Sequence, residues 1–502
     1  FKNGSPSMRL SRIRSAFVTT RWSPFLFALF IAVAVSDANL AIASNLDSSI
    51  RVENHEPDSE VRYSVVLLRG SVSADDASEL KIVNTHAPAG SAPVKVLTDG
   101  KRFKALVELS EGKNVIRLEH KSLPTSELNL TFKPQTNPHY VRLIWMTDQS
   151  GETDFAVPDD TVTQDYANRL RTAALLMQTF TAERMKDLGY GPRTFALERD
   201  DKGEVVVHTW KGDRDKQDYY AQADNNRWWQ HVRRWINEEH PDPMAKNVVL
   251  AAYTRKDPRT GKMLGHTALG GANLGLFGSA SVFCWPRDVQ SAMEVFQNDA
   301  VVDATHVHDD SAFRGTIWAL ASTTIGATLH ETGHAMGLPH CTDNMGIMTR
   351  GFDHFHRVFT FSDPPSNRNK QPRKFSPKQE AYFSPVSASF LRWSPWFQLD
   401  GSSDQSEKPA RSRPTGEVDE AARLVRISSS AGIPWVGFHS KDRIETFQEY
   451  GSHDTGANDH PKSMELTFDE IQQMKPGTEI RRIVVVDGNG ASRNASLPQP
   501  SP

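Results

Sequence analysis

Cysteine is nearly absent: Cys284 and Cys341 are the only two among 502 residues. That excludes a disulfide-stapled scaffold and any metal site built from clustered thiolates. Neither cysteine precedes residue 137, so the leading part of the chain has no thiolate with which to silence a metal centre. An even pair in an oxidising compartment permits one bridge, which makes Cys284–Cys341 a candidate disulfide, with two small buried thiols as the alternative. Apolar runs of roughly 18 residues are missing beyond the N-terminus, so no stable membrane span is expected once a leader is removed. No sign of charge dominates either, with 58 basic against 61 acidic side chains and a net charge of −3. Residues 1–43 carry Lys2, Arg9, Arg12, Arg14 and Arg21 against Asp37, and taking that +4 from −3 leaves −7 for the rest. A mildly acidic chain lacks the basic footprint of a nucleic-acid or anionic-membrane partner. The glycine-rich stretch Leu269 to Val282 lacks the G-K-[ST] ending of a phosphate loop, which argues against nucleotide binding.

What is present begins with a leader. From Met8 the order is basic residues, an apolar run from Phe25 to Val35, then Ala41-Ile42-Ala43 before Ser44. This is the layout of a secretory signal cleaved after Ala43, and it predicts a secreted, periplasmic or extracellular protein. An uncleaved anchor running through Ala43, interrupted by Asp37 and Asn39, is the alternative.

Composition changes divide the remainder. Residues 44–60 are polar and read as a linker. Residues 61–136 hold short alternating runs punctuated by Gly70, Asp99-Gly100 and Glu111-Gly112, the pattern of a small antiparallel β-sandwich. Residues 137–399 turn to mixed α and β. Helical spacing runs over Gln164 to Leu188 and Tyr219 to Glu239, and Asn247 to Tyr253 is a nearly continuous apolar strand suited to a buried central position. The weakly alternating stretch after Leu269 reads as a sheet-edge strand able to hydrogen-bond an extended peptide. Residues 400–420 read as a second linker, 421–490 as a β-rich domain and 491–502 as a disordered tail.

The most informative segment is His330-Glu331-Thr332-Gly333-His334-Ala335-Met336-Gly337-Leu338-Pro339-His340. On a helix, His330 and His334 project from one face about 6 Å apart, close enough to share one metal. Gly337 can adopt the left-handed conformation that ends the helix and returns His340 as a third ligand. Three protein nitrogens leave one zinc position open for water, which is a catalytic arrangement, and Glu331 is the candidate general base. With 18 His and 31 Gly in the chain, five such fixed positions arise by accident in roughly one chain in ten thousand. Eight residues after His340, Met348 lies in Gly346-Ile347-Met348-Thr349, where a turn would give the imidazoles an apolar floor.

The long motif followed by Met348 resembles the metzincin clan of zinc endopeptidases. More narrowly, several segments resemble the zinc metallopeptidase family best represented in fungi: Gln178-Thr179-Phe180-Thr181-Ala182-Glu183, Gly191-Pro192-Arg193-Thr194-Phe195, His266-Thr267-Ala268-Leu269-Gly270-Gly271, Gly326-Ala327-Thr328-Leu329 and Gly346-Ile347-Met348-Thr349-Arg350. The resemblance runs over roughly Val61 to Asp487. It implies an α/β (α+β) metzincin-like catalytic domain with a twisted mixed sheet and an active-site helix, flanked by small β-sandwich-like domains. One catalytic zinc would be held by His330, His334 and His340, with Glu331 as base and Met348 in the turn. Some metzincins carry a tyrosine two residues after that methionine to support the oxyanion. Here the position is Arg350, a candidate contact for the oxyanion or a substrate carboxylate, with a structural ion pair as the alternative.

Two weaker groups remain. Asp303, His306, His308, Asp309 and Asp310 precede the motif helix and read as a solvated acidic loop near its N-terminus, with a second metal site as the sharper alternative. His354 and His356 follow the methionine and are candidates to line a cleft. The expected function is a secreted zinc endopeptidase acting on protein or peptide substrates. The rival is an extracellular adhesion or glycan-binding protein whose zinc site is vestigial or autoprocessing. Substrate preference and oligomeric state are not encoded in any motif.

Overall fold

The computed structural model describes residues 49–88, 93–157, 164–221, 224–400, 413–441, 443–451 and 460–498. The expected leader lies outside them. Contacts join Ser48–Pro502 into one unit.

The leading module consists of two four-stranded sheets. One is ordered β1 (Ile50–Val52), β3 (Val65–Val72), β6 (Arg102–Glu108) and β5 (Val96–Asp99). The other is ordered β2 (Ser59–Val61), β8 (Leu123–Phe132), β7 (Gly112–His120) and β4 (Lys81–Asn84). In β7, Ile116 and Leu118 point inward while Arg117 and Glu119 face water, the period of two expected of a half-buried strand. Val66, Leu68, Phe103 and Val107 of one sheet share a core with Ile116, Leu118, Leu130 and Phe132 of the other, so the sheets form a sandwich. All pairings are antiparallel except β2 with β8. The stretch read as a linker over 44–60 therefore supplies two strands. Each spans only three residues and buries one apolar anchor, Ile50 or Val61, too little to register as alternation.

The central domain is built on β9 (Tyr140–Thr147), β10 (Ala196–Leu197), β11 (Val207–Lys211), β12 (Ala245–Ala251), β15 (Ala268–Gly271) and β16 (Leu274–Gly278), with short hairpins β13–β14 (Arg255–Lys256, Met263–Leu264) and β17–β18 (Ser362–Asp363, Arg373–Lys374). The sheet order is β10-β9-β12-β16-β15, with β11 also on β9. Every pair is parallel except β15 with β16. Both faces are covered. Val248 and Leu250 of β12 pack with α1 (Tyr166–Asp187) and α3 (Ile317–Ala335), whereas Val249 and Ala251 pack with α2 (Asn225–Glu239). That two-sided burial is why β12 is apolar from Val248 onward.

The single helix expected over Tyr219 to Glu239 is instead two, Lys216–Ala221 and α2. Asp224 interrupts it by accepting from the backbone N–H groups of Asn226 and Arg227, a stronger claim on its carboxylate than continuing the helix. After α4 (Pro385–Trp393), the C-terminal module packs the sheet β19-β20-β23 (Thr415–Asp419, Leu424–Ser428, Ser463–Thr467) against β22-β21-β24-β25 (Ile444–Glu449, Trp435–His439, Arg482–Val486, Ser492–Ser496) around one apolar core. Here β19 starts inside the stretch read as linker, and β25 occupies the expected disordered tail. Buried Ala495 and Leu497 anchor β25; polar neighbours hide that signal in the sequence.

Two buried charge clusters weld the leading sandwich to the central domain. Glu183 of α1 accepts from Asn54 Nδ2 at 2.8 Å and Arg69 Nη2 at 3.0 Å, with Tyr63 OH at 3.5 Å. Lys104 Nζ of β6 reaches Glu380 Oε1 at 2.9 Å and the carbonyls of Arg357 and Thr360, while Arg184 Nη1 reaches Glu380 Oε2 at 3.1 Å. Removing one partner of such a buried set leaves an uncompensated charge. Glu183→Ala is therefore expected to cost about 3–5 kcal/mol in urea unfolding. A loss indistinguishable from a surface mutation would show that the junction is not what holds the sandwich in place.

Candidate metal centre

Helix α3 is apolar on nearly all sides and buried along most of its length. Its polar side chains survive burial by bonding within the helix: Thr324, Thr328 and Thr332 donate to the carbonyls of Leu320, Thr324 and Thr328 at 2.7, 2.8 and 2.7 Å. His330 and His334 lie one turn apart near its end. Gly337 then takes φ +96°, its N–H donating to His334 O at 3.0 Å, and Leu338 N–H donates to Gly333 O at 2.9 Å. This is the left-handed helix stop that the spacing predicts.

The stop has a direct chemical consequence. It places Leu338 O 2.7 Å from His334 Nδ1, while Ile347 O lies 2.8 Å from His330 Nδ1. A carbonyl only accepts, so both Nδ1 atoms carry hydrogen and both Nε2 lone pairs are free. Those lone pairs converge. His334 Nε2 is 3.0 Å from His330 Nε2 and 3.3 Å from His340 Nε2. A tetrahedral zinc with nitrogens at about 2.0–2.1 Å requires neighbouring nitrogens about 3.3 Å apart, so the three residues fit one ion. Burial, with the neighbouring imidazoles, pushes His330 down to about 3, and burial lowers His334 as well. Both rings are thus held in the neutral, ligating form.

Glu331 is buried, and its carboxylate stands outside the three-nitrogen cluster. Desolvation pushes it up to about 8. Met348 is fully buried, its sulfur packed beneath the turn at Gly333, where an added Cβ would meet Sδ at 2.5 Å. Its carbonyl accepts from Cys341 N–H at 3.2 Å, and Ile347 N–H donates to Tyr382 O at 2.7 Å. The methionine segment is thereby tied both to the third histidine's neighbour and to the strand-like stretch at Tyr382.

Several other expectations are resolved here. Arg350 is held by Asp353, with Nη2 and Nε at 2.8 and 3.1 Å from Oδ2, and lies over the Phe352 ring that meets His330 edge-on at 5.3 Å. Its guanidinium makes the ion pair that was the structural alternative for this residue. Cys284 and Cys341 are free and buried, so the candidate bridge is not formed. Each thiol is satisfied in its own loop, Cys284 by Ser281 O at 2.9 Å and Cys341 by Thr349 Oγ1 at 3.0 Å. His356 does not line a cleft: it is enclosed, bonded to Ser322 Oγ and Asp363. His354 is half-buried, with its Nδ1 enclosed and unpartnered. Asp303 pairs with His306 at 2.8 Å on an exposed loop, and the first turn of α3 carries no acidic residue, so the acidic run does not cap that helix. His308 and Asp310 instead gather with His266, a residue singled out in the sequence only within the motif preceding the edge strand.

That edge strand, β15, lies directly on α3. A Cβ at Gly270 would stand 2.2 Å from Glu331 O and 2.7 Å from His334 Cβ.

A sequence model described as "Putative peptidase family" matches residues 49–434, well over half the chain. A Schizosaccharomyces pombe protein named "Putative zinc metalloproteinase" is 28% identical over 337 residues, covering 62% of this chain and 54% of the relative. A Saccharomyces cerevisiae protein of the same description is 24% identical over 428 residues, covering 76% and 61%. The chain thus spans little more than half the length of these relatives. Among solved structures, OgpA from Akkermansia muciniphila matches at 16% identity and TM-score 0.42, over 72% of this chain and 94% of its own. The family match and the relatives' names together support a metallopeptidase.

Because β15 has no room to retreat without losing its pairing to β16, Gly270→Ala is expected to destabilise by about 1–3 kcal/mol through overpacking and to weaken metal retention. Thermal melting and a zinc-competition titration check this. An unchanged Tm would mean that the strand can lift freely.

Proposed function

We propose that this chain, which belongs to the family described as "Putative peptidase family", is a zinc-dependent endopeptidase of metzincin type. The observation that carries the reading is the convergence of three imidazole Nε2 atoms, 3.0 and 3.3 Å apart, with a buried glutamate next to His330 in the chain that is not one of the converging groups. His330, His334 and His340 would hold the zinc, which would supply Lewis-acid chemistry that makes a bound water acidic enough to ionise near neutral pH. Glu331 is the proton carrier. As a carboxylate it takes a proton from the attacking water and returns it to the leaving amine. Its desolvated setting strengthens that exchange, and a neighbouring dication favours the ionised form that burial alone opposes. His330 and His334 contribute by staying neutral and fixed, each through one backbone carbonyl. Met348 supports the turn beneath them.

Among the described residues, the edge strand β15 pairs antiparallel with β16 and with no other strand. Its outer backbone groups suit an extended peptide laid along α3, which makes an unfolded or extended polypeptide the proposed substrate. Among the described residues no helix is long and apolar enough to cross a membrane, and export through the N-terminal leader belongs to the same proposal.

The rival reading, an adhesion or glycan-binding protein, drew on the flanking β modules. Their buried charge clusters with α1 and with Glu380, and the backbone bond from Ile444 N–H to His340 O at 3.1 Å, make them supports of the peptidase site.

Replacing the base separates chemistry from binding. Glu331→Gln is expected to lower kcat/KM on a peptide library by about 10²–10⁴-fold while leaving bound zinc per chain unchanged. Equal cleavage by variant and wild type would remove Glu331 from the mechanism, and loss of zinc in the variant would recast it as a ligand.

A further inference from the structure

The second gathering of ligand-type side chains lies away from the three histidines. His266 stands between β14 and β15, while His308 and Asp310 lie on the loop that leads into α3. One ligand atom from each lies within 4.8 Å of the others. The two imidazole rings are 5.3 Å apart and tilted by 57°, unlike a stacked pair. His266 Nδ1 is enclosed and has no hydrogen-bond partner among the described residues. All three residues are half-buried. Two imidazoles and a carboxylate are thus partly withdrawn from water together, and the His266 nitrogen among them lacks the partner that a buried polar group requires.

We propose that His266, His308 and Asp310 form a second metal site, for a first-row divalent transition ion such as Zn²⁺. The donor set selects the class. Imidazole nitrogens with one carboxylate suit Zn²⁺ or its neighbours, whereas Mg²⁺ and Ca²⁺ prefer all-oxygen shells. Tetrahedral zinc requires donors about 3.3 Å apart, and the present donors, all within 4.8 Å of one another, need only small side-chain rotations to meet that spacing. The spacing His308-x-Asp310 puts both of those donors on one short loop, and the third comes from a segment about forty residues earlier in the chain.

The position gives the ion a role. His266 immediately precedes β15, the strand that lies on Glu331 and His334 through Gly270. The loop carrying His308 and Asp310 turns into α3 through an isolated bridge between Val301 and Thr316. A metal joining the two would clamp the open edge strand to the entrance of the active-site helix, fixing the width of the ledge on which an extended peptide lies. The ion acts as a staple and takes no part in bond cleavage.

Metal content measured on the full chain tests this. Wild type dialysed against Zn²⁺ is expected to retain two ions per chain, His330→Ala/His334→Ala one, and Asp310→Asn one. In the His330→Ala/His334→Ala background, Zn²⁺ or Co²⁺ should raise Tm, Ca²⁺ should not, and adding Asp310→Asn or His266→Ala should abolish the rise. Co²⁺ bound in that background should also show the strong visible d–d absorption of a four-coordinate ion, unlike weakly absorbing hydrated Co²⁺, which reports site formation even if a cluster variant folds poorly. The proposal is overturned if the His330→Ala/His334→Ala protein binds no Zn²⁺ or Co²⁺ at micromolar free metal, or if Asp310→Asn leaves wild-type stoichiometry at two. Failure here leaves the three-histidine site untouched, because that site is read out separately by Glu331→Gln.

Discussion

Two backbone carbonyls, Leu338 O and Ile347 O, decide what this protein can do. Each takes the Nδ1 hydrogen of a histidine on α3, and by doing so each aims an Nε2 lone pair at a common point. An imidazole without such an anchor rotates about two side-chain bonds and loses that entropy again when a metal binds. Here the cost is met during folding. Leu338 O is in place because Gly337 turns left-handed, and Ile347 O because its own N–H is tied to Tyr382. The site's geometry is thus a property of the backbone, and most of the surrounding architecture serves to hold that backbone still.

Burying α3 so completely is the second requirement, and it explains the weight of the flanking structure. A helix enclosed on all sides needs a sheet beneath it and helices beside it, which β12, β16 and α1 supply. The surface of α1 that carries Glu183 and Arg184 is covered by the leading sandwich through buried ion pairs, Arg69 with Glu183 directly and Lys104 with Arg184 through Glu380, beside apolar contact from Val65, Leu67 and Leu106. Ion pairs of this kind add little net stability against apolar packing, but they penalise misplacement strongly, because any shift leaves a charge unpaired in a dry environment. The sandwich is consequently in fixed register with the helix that buttresses the site, which is the behaviour of an integral support more than of a detachable leading segment.

The chemistry was legible in the sequence because it is local. His330, Glu331, His334, Gly337 and His340 occupy eleven residues whose spacing alone defines a helix, a stop and a return, and Met348 follows within the same stretch of chain. The central strand β12 was equally plain, since two-sided burial leaves an uninterrupted apolar run. What escaped depended on partners distant in sequence. Strands β1, β2 and β25 are short, and they are strands only because β3, β8 and β24 offer ladders to pair with. The break at Asp224 required weighing one capping carboxylate against a long helical period. His266 joins His308 and Asp310 only through the fold. Arg350 was read as an ion pair or an oxyanion contact, and the ion pair became visible only with the position of Asp353.

His340 is the most exposed of the three histidines, and among the described residues its ring has no carbonyl anchor like those of the other two. Its restraint comes through the main chain. Cys341 N–H bonds to Met348 O at 3.2 Å on one side, and Ile444 N–H bonds to His340 O at 3.1 Å on the other, where the segment forms a parallel bridge with Arg443. The family match ends at residue 434, so the strand that grips His340 lies beyond it, in a module that looks accessory by composition. With one end of the metal-binding segment continuous with α3 and the other clamped by β22, the third nitrogen is positioned by two modules at once. A domain without visible chemistry of its own therefore contributes to the reaction by limiting where one ligand can go.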